Sequence, residues 1–493
     1  MNLGTRFTRR TFLNAIGAGV AWITLLNVPG CKPSERNRHT PPAQPKSRRP
    51  FHSRPDLDPP LVDVTARAHD VAPGYIFVAP KKGAGQYGPL IVDNLGRPVW
   101  FSQNRYATDF KVQQYKGRPV VSWWEGKIVQ AHGVGEYVIL DDSYQEIARV
   151  RAGNGYLGDL HEFLITPHDT ALLTVYEPLR RNLSSVGGPE NGTVLEGIAQ
   201  EIDIDTGKVL FEWRSLDHVS FDETYSKPPK NPKRPLDYIH INSIDIDYDG
   251  NLLISAKRTS AVYKIDRKTG EIMWRLGGKK SDFAMGPGTR FAYQHDARRQ
   301  PDGSITLFDN GASPKVHDQS RGIVLRLDEE AMNATLVREY TSPDKPLAGS
   351  QGNLQVLPNG NVFIGWGSKP YFSEFSGDGR LLFNASFPGS DQSYRAYRLQ
   401  WKGRPKDKPT VAVEPGSKGT VTVYASWNGA TEVASWQILA GPSFDQLKPI
   451  GSAPRSGFET PIKASTSEPY VSVRAKDRSD RVLGTSRAAR AMN

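Results

Sequence analysis

Apolar residues along this chain fall into short runs, broken by turns that carry Gly, Asp, Asn or Pro. The runs have strand length and strand spacing and do not follow a helical period. One phrase recurs as strand, turn, strand: "LIVDNLGRPVWFS", "YVILDDSYQEIARV", "IAQEIDIDTGKVLFEW", "AVYKIDRKTGEIMWRL", "IVLRLDEEAMNATLVREY" and "YFSEFSGDGRLLFNA". A second phrase of the same form precedes most of them: "HEFLITPHDTALLTVYE", "INSIDIDYDGNLLISAK", "HDARRQPDGSITLFDNG", "GNLQVLPNGNVFIGWG" and, more weakly, "FKVQQYKGRPVVSWWEG". Two hairpins in succession make a four-stranded antiparallel sheet, and a run of such units spaced about forty to sixty residues apart matches the blades of a propeller. The pattern predicts an all-β chain with a six-bladed β-propeller over 71–405. The first closing phrase has only "GYIFVAP" before it, and "SYRAYRLQWKG" is left over after the last, so the two ends are expected to complete one blade together. From Lys406 the texture changes to evenly spaced alternating strands, such as "GTVTVYASWNG" and "YVSVRAKD". They predict a small C-terminal immunoglobulin- or fibronectin-like β-sandwich over 406–493.

The N-terminus differs from the rest. Arg9 and Arg10 precede an apolar run from Phe12 to Val28, and residues 1–30 read as a twin-arginine-type export signal. "VPGC" resembles a lipoprotein processing site with Cys31 as the lipidated residue, followed by a Pro- and Arg-rich linker over 31–70. These features predict an exported protein of the cell envelope, or a secreted one, that meets a membrane only through a lipid at Cys31. Cys31 is the single cysteine, which excludes intramolecular disulfides and a catalytic thiol in the folded part. The net charge of +11 raises nucleic acid as a partner. However, residues 1–58 carry +7 and 471–493 carry +4, so the body between is neutral and offers no basic recognition face.

The repeat phase singles out three histidines. In a propeller the first strand of each blade lines the central channel. His161 and His295 each stand six residues before the proline of the following turn, Pro167 and Pro301, so they occupy equivalent places in two blades. Counting back in the blade between them reaches Asn242, with His240 two residues earlier on the same strand face. His168, in a turn, and His218 and His317, in loops, are expected to be solvated. Trp274 and the Trp123–Trp124 pair are expected to be packing residues. Three converging imidazoles could hold zinc. The adjacent carboxylates Glu162 and Asp296 are turned away by strand alternation, so no metal site is expected.

The phrases "DYIHINSIDIDYDGNLLISAKRTSAVYKIDRKTGEIMWRLGGKKSDF", "QHDARRQPDGSITLFDNGAS", "SRGIVLRLD" and "SYRAYRLQW" together resemble the arylsulfotransferase family over about 75–403. The resemblance implies exported bacterial enzymes that move a sulfuryl group from an aryl sulfate to a phenolic acceptor, without a nucleotide sulfate and without a cofactor. It implies His295 as the nucleophile that becomes sulfohistidine, with His161 and His240 in support. The family arginine that grips the sulfuryl oxygens falls on Lys257, with Arg258 beside it and Asn242 in the same region as a substrate contact. Lysine offers a point charge where arginine offers a planar fork. Two other readings stay open from sequence: a non-catalytic ligand-binding propeller, and a metal-dependent hydrolase or lyase using the channel histidines.

Replacing both Arg9 and Arg10 with Lys is expected to leave unprocessed precursor inside the cell, read by fractionation and immunoblot. Normal processing of that variant would count against the twin-arginine reading.

Overall fold

A computed structural model describes residues 51–491 apart from 84, 104–105 and 232–233. The export signal, Arg9, Arg10 and Cys31 lie outside the described residues. Among those residues helix is confined to single turns, at Ser184–Val186, Ser215–His218 and Phe221–Glu223. The rest of the regular structure is antiparallel sheet, apart from two short parallel pairings.

The sheets follow the repeated phrases. Thr108–Tyr115, Arg118–Val129, His132–Leu140 and Glu146–Val150 pair in sequence order, and so do Gly158–Ile165, Thr170–Arg181, Gly192–Asp203 and Val209–Arg214. A single pair, Gly135 opposite Gly158, joins these two groups into one sheet. The backbones approach so closely there that a Cβ on Gly133 would lie 2.4 Å from the Leu160 nitrogen, which only glycine avoids. The next groups are Ile241–Ile246, Leu252–Ala256, Ala261–Ile265 and Ile272–Gly277, then His295–Arg299, Ile305–Asp309, Arg321–Asp328 and Asn333–Thr341. After them come Asn353–Val356, Val362–Gly365, Tyr371–Phe375 and Leu381–Ser386.

The two ends do share a sheet: Ser393–Leu399 pairs with Tyr75–Pro80, which continues to Leu90–Val92 and Pro98–Phe101. Part of the expected linker, in contrast, is built into the structure. Asp63–Arg67 adds a strand beside Leu381–Ser386, Leu57 and Val62 are buried, and Phe51 packs on Phe458 with ring centres 4.4 Å apart.

Burial falls outward in most groups, but Pro98–Phe101 and Leu381–Ser386, outermost in theirs, stay buried. Leu252–Ala256 and Ala261–Ile265 are buried on both faces, which is why "NLLISA" and "AVYKI" read as nearly continuous apolar runs. The outermost Glu146–Val150 and Asn333–Thr341 are largely exposed. Trp274 is 3% exposed between neighbouring sheets, Trp124 is buried with its Nε1 donating to Gly158 O, and Trp123 packs on Phe110 and Trp100. His168 is exposed. His218 stacks on Trp213, and His317 is held by Asp309 and Arg290 O, so these two are not merely solvated. The C-terminal strands form two further sheets with Val423, Trp436, Ile438, Val471 and Val473 buried among them.

The first strands of the groups meet around a buried knot of charge. Arg395 bonds Asp109 at 3.0 Å and Glu162 at 3.2 Å, and lies 3.3 Å from Asp296. Lys111 bridges Asp109 and Glu162, and Arg298 bridges Glu162 and Asp296. Burial alone would raise the Glu162 carboxyl, but Arg298, Arg395 and Lys111 around it hold it well below the usual carboxylate range. Glu162 and Asp296 thus face away from the neighbouring imidazoles, but into this network and not toward solvent.

Breaking a buried ion network by removing one partner typically costs ~3–5 kcal/mol, because charge is left uncompensated. Arg395→Met is expected to lower stability by about that amount in urea unfolding followed by tryptophan fluorescence. An unchanged midpoint would show that the network is not what secures the strands.

Candidate active site

The histidines sit where the first strands begin, and irregularities in those strands aim them. The pairing shifts register between His295 and Arg298, where Asp296 has φ +57°, and between Ile241 and Ser243, next to His240 at φ +56°. The equivalent strand shifts between Thr108 and Lys111, with Asp109 at φ +56°. A bulge puts an extra residue into the strand and re-aims the side chains around it. Neighbouring residues of one strand therefore both point inward, the histidine into one layer and the carboxylate after it into the charged layer.

His161 and His240 meet edge to face with ring centres 4.6 Å apart. Each has a carboxylate of its own. His161 Nδ1 donates to Asp159 Oδ2 at 2.5 Å, and His240 Nδ1 donates to Asp237 Oδ2 at 2.6 Å. The absence of carboxylates in register, expected from sequence, is corrected here, because the partners precede their histidines. Asp159 lies two residues before His161, on the same strand face, and Asp237 ends the short strand Leu236–Asp237, three residues before His240. Thr174 and the Gly133 N–H complete the Asp159 shell, which with His161 and His132 holds that carboxyl below its ordinary value despite burial. Burial keeps both imidazoles neutral: it pushes His161 down, and it pushes His240 well down with help from the Lys257 charge.

His295 stands across Tyr394, whose ring lies 5.6 Å from His161 and 6.4 Å from His295. His295 Nδ1 donates to Asn310 Oδ1 at 2.7 Å and to Tyr293 O at 2.9 Å. Asn310 is oriented by its own Nδ2, which donates to Ala348 O and Gln351 O. This fixes the proton of His295 on Nδ1 and leaves the lone pair on Nε2, where it accepts the Gln351 N–H at 3.0 Å. Burial and Lys257 push this imidazole well below its ordinary value.

Lys257 and Arg258 part company. Arg258 is tied to Asp237 and to the Tyr293 hydroxyl. The Lys257 ammonium lies 5.0 Å from the centre of the Tyr293 ring and within electrostatic reach of all three histidines; burial and Arg258 bring it down to about 8. Asn242 is fully buried and donates Nδ2 to Gln294 O at 2.7 Å, so it clamps one strand to the next.

Besides the histidines' partners Asp159, Asp237 and Asn310, sequence reasoning missed His132, Tyr394 and Lys81. His132 packs 4.9 Å from His240 and 4.0 Å from Tyr176, and it escaped because it lies on the third strand of its group and not on a first strand. Its signal was the "HGVG" phrase, whose glycines permit the close approach described above. Tyr394 divides the histidines. On its ring, 5.6 Å from the centre, lies the Lys81 ammonium, brought down by burial and Lys82 to about 7. The arrangement can present an imidazole lone pair, two carboxylate-backed imidazoles and a cation without a carboxylate of its own to one buried anionic group.

No curated protein matches the chain. Among solved structures, a protein of unknown function from Bacteroides caccae is 13% identical at a TM-score of 0.40, over 66% of this chain and 100% of that one. The extracellular domain of the two-component system BT3049 from B. thetaiotaomicron is 11% identical at 0.39, and the match spans 88% of this chain and only 55% of that one. A streptogramin B lyase is 11% identical at 0.34, over 74% of this chain and 94% of its own. At such identities and TM-scores these likenesses carry no weight for fold or function. The family pattern described as "Arylsulfotransferase (ASST)" does, because it matches residues 111–388, more than half of the chain and the stretch that supplies His132, His161, His240, Lys257 and His295. The chain belongs to the arylsulfotransferase family.

Proposed function

We propose that this protein is an exported sulfotransferase that takes the sulfuryl group of an aryl sulfate onto His295 and passes it to a phenolic acceptor. The sheets are read as six blades of a closed propeller carrying a C-terminal sandwich, with the reaction in the channel at the histidine layer. The observation that carries the reading is the fixed Nδ1–H tautomer of His295. It leaves a lone pair on Nε2 beside Lys257, a cation with no carboxylate of its own.

In the first half-reaction His295 Nε2 attacks sulfur, the S–O bond to the aryl group breaks, and the phenolate leaves with a proton. His161 and His240, neutral in the empty site, are suited to carry that proton once one of them takes it up together with the anionic donor, because Asp159 or Asp237 on Nδ1 stabilises the imidazolium that precedes transfer. In the second half the acceptor hydroxyl gives its proton back to this pair, its oxygen attacks sulfur, and the S–N bond breaks to restore neutral His295. Sulfuryl transfer, like phosphoryl transfer, is mostly a matter of position and of charge spread over peripheral oxygens, which is the part given to Lys257. Attack requires the Gln351 N–H to leave Nε2. Gln351 has φ +66°, a left-handed conformation that is strained for a residue with a side chain, and a local backbone movement there is the step required. Once displaced, the same N–H is available to a sulfuryl oxygen.

With p-nitrophenyl sulfate and no acceptor, the protein is expected to release about one equivalent of phenol in a burst and to gain one sulfuryl mass on the peptide holding His295. His295→Asn should show neither. His161→Asn and His240→Asn should slow the burst without moving the adduct. An adduct on another residue, or full turnover by His295→Asn, removes the assignment.

With burial and Arg258 bringing the Lys257 ammonium down to about 8, its charge is held well below that pH and is lost as the pH rises through it. Turnover is therefore expected to fall as the pH rises through about 8. Lys257→Arg, which stays charged, should extend the basic limb upward, whereas Lys257→Ala should cost ~10²–10³ in turnover. A basic limb that Lys257→Arg leaves in place would assign it to another group.

A further inference from the structure

We propose that Lys81 is the seat of a second anion-binding subsite, which takes a carboxylate or like anionic group carried on the aromatic ring of the sulfuryl donor or acceptor. Its place in the repeat points to this role. Lys257 stands one residue past Leu252–Ala256, the second strand of its sheet, and Lys81 stands one residue past Tyr75–Pro80, the second strand of the sheet that joins the two chain ends. Pro80 lies opposite Ser393 at the start of the first strand, as Ala256 lies opposite Ile241. Both lysines therefore leave their sheets at the end where the histidines stand. Each ammonium then lies over a tyrosine ring, Lys257 at 5.0 Å from the centre of Tyr293 and Lys81 at 5.6 Å from that of Tyr394. In the six-bladed reading above, on which this inference rests, the two sheets have two blades between them on either side, so the lysines face each other across the channel mouth.

The Lys81 charge is not spent inside the protein. The nearby carboxylate of Asp391 is taken up by backbone, its Oδ1 accepting the N–H groups of Lys81 at 3.0 Å and of Lys82 and Gln392 at 2.8 Å each. Those bonds fix the segment and leave the half-buried Lys81 Nζ without an ion pair or hydrogen bond among the described residues. Burial and Lys82 accordingly outweigh Asp391 and bring the ammonium down to about 7. A desolvated charge in this state is compensated when an anion arrives. That anion is not the sulfuryl group under attack. Lys257 is the lysine whose charge bears on His161, His240 and His295, whereas Lys81 is set off from them by the Tyr394 ring. With sulfur at His295 and Lys257, the far end of a bound aryl group is what remains for Lys81. Donor and acceptor phenols occupy the same place in turn, so a charge on either meets it. The substrate class thereby narrows to aryl sulfates and phenols with a second negative charge, such as a ring carboxylate.

Binding of 4-carboxyphenyl sulfate and of its methyl ester would be measured by calorimetry on the full-length protein carrying His295→Asn, in which neither compound is consumed. The two differ in the charge of one ring substituent. The carboxylate is expected to bind ~10-fold more tightly, the effect of a hydrogen bond to a charged group. Adding Lys81→Met should abolish that preference while leaving the affinity for the ester unchanged, which separates loss of the charge from misfolding. Lys81→Arg and Lys82→Met should both keep it. With His295 in place the same preference should appear in KM for the donor pair, and in KM for 4-hydroxybenzoate against its methyl ester as acceptors. Equal binding of the two sulfates, no binding of the carboxylate, or a preference that Lys81→Met leaves in place overturns the proposal. Absence of a burst with either donor, beside a preference in binding that depends on Lys81, counts against the transfer reaction alone.

Discussion

Arg395 is the point at which the separate sheets become one molecule. It comes from the strand that returns from residue 393, and its guanidinium reaches carboxylates on three other first strands: Asp109, Glu162 and Asp296. A fully buried cation is tolerable only where anions converge on it, and buried anions need the cation equally. The network therefore specifies which strands come together more than it adds to stability. The histidine layer borders it, and Asn242 O, which accepts from Arg395 at 2.8 Å, ties the two.

That junction lets the site hold imidazoles neutral in a charged surrounding. The strongly ionised groups are spent on one another in the network, while in the histidine layer each carboxylate carries an imidazole and Lys257 stands without a carboxylate partner. Separation by layer, produced by bulges, turns one strand's consecutive residues to different uses. In the pair His295–Asp296 the first residue faces chemistry and the second faces structure.

Much of this was legible in sequence. The hairpin phrases, the pairing of the two ends and the convergence of His161 and His240 follow from repeat phase, and repeat phase is a consequence of strand geometry. Three things did not follow. Strict alternation hid the bulges, so Glu162 and Asp296 could not be placed in a buried network. His132 lay outside the strand class used for the count. Residues 51–70 read as tether because Pro and Arg dominate their surroundings, yet Leu57 and Val62 suffice to dock them. Local composition reports what a segment resembles, whereas docking depends on a surface elsewhere that is ready to receive it.

The shared sheet of the two ends also sets a clock. Ala79 bonds to Ser393 across 314 residues, so one of the first strands to leave the ribosome waits for nearly the last of its domain before its sheet is complete. Contacts that close so long a loop form slowly, and until then Tyr75–Pro80 presents an unpaired edge. A chain of this design gains little from being threaded outward as it is made. It suits a route that admits a finished domain, such as the twin-arginine route proposed for it, where closure comes first and crossing the membrane second.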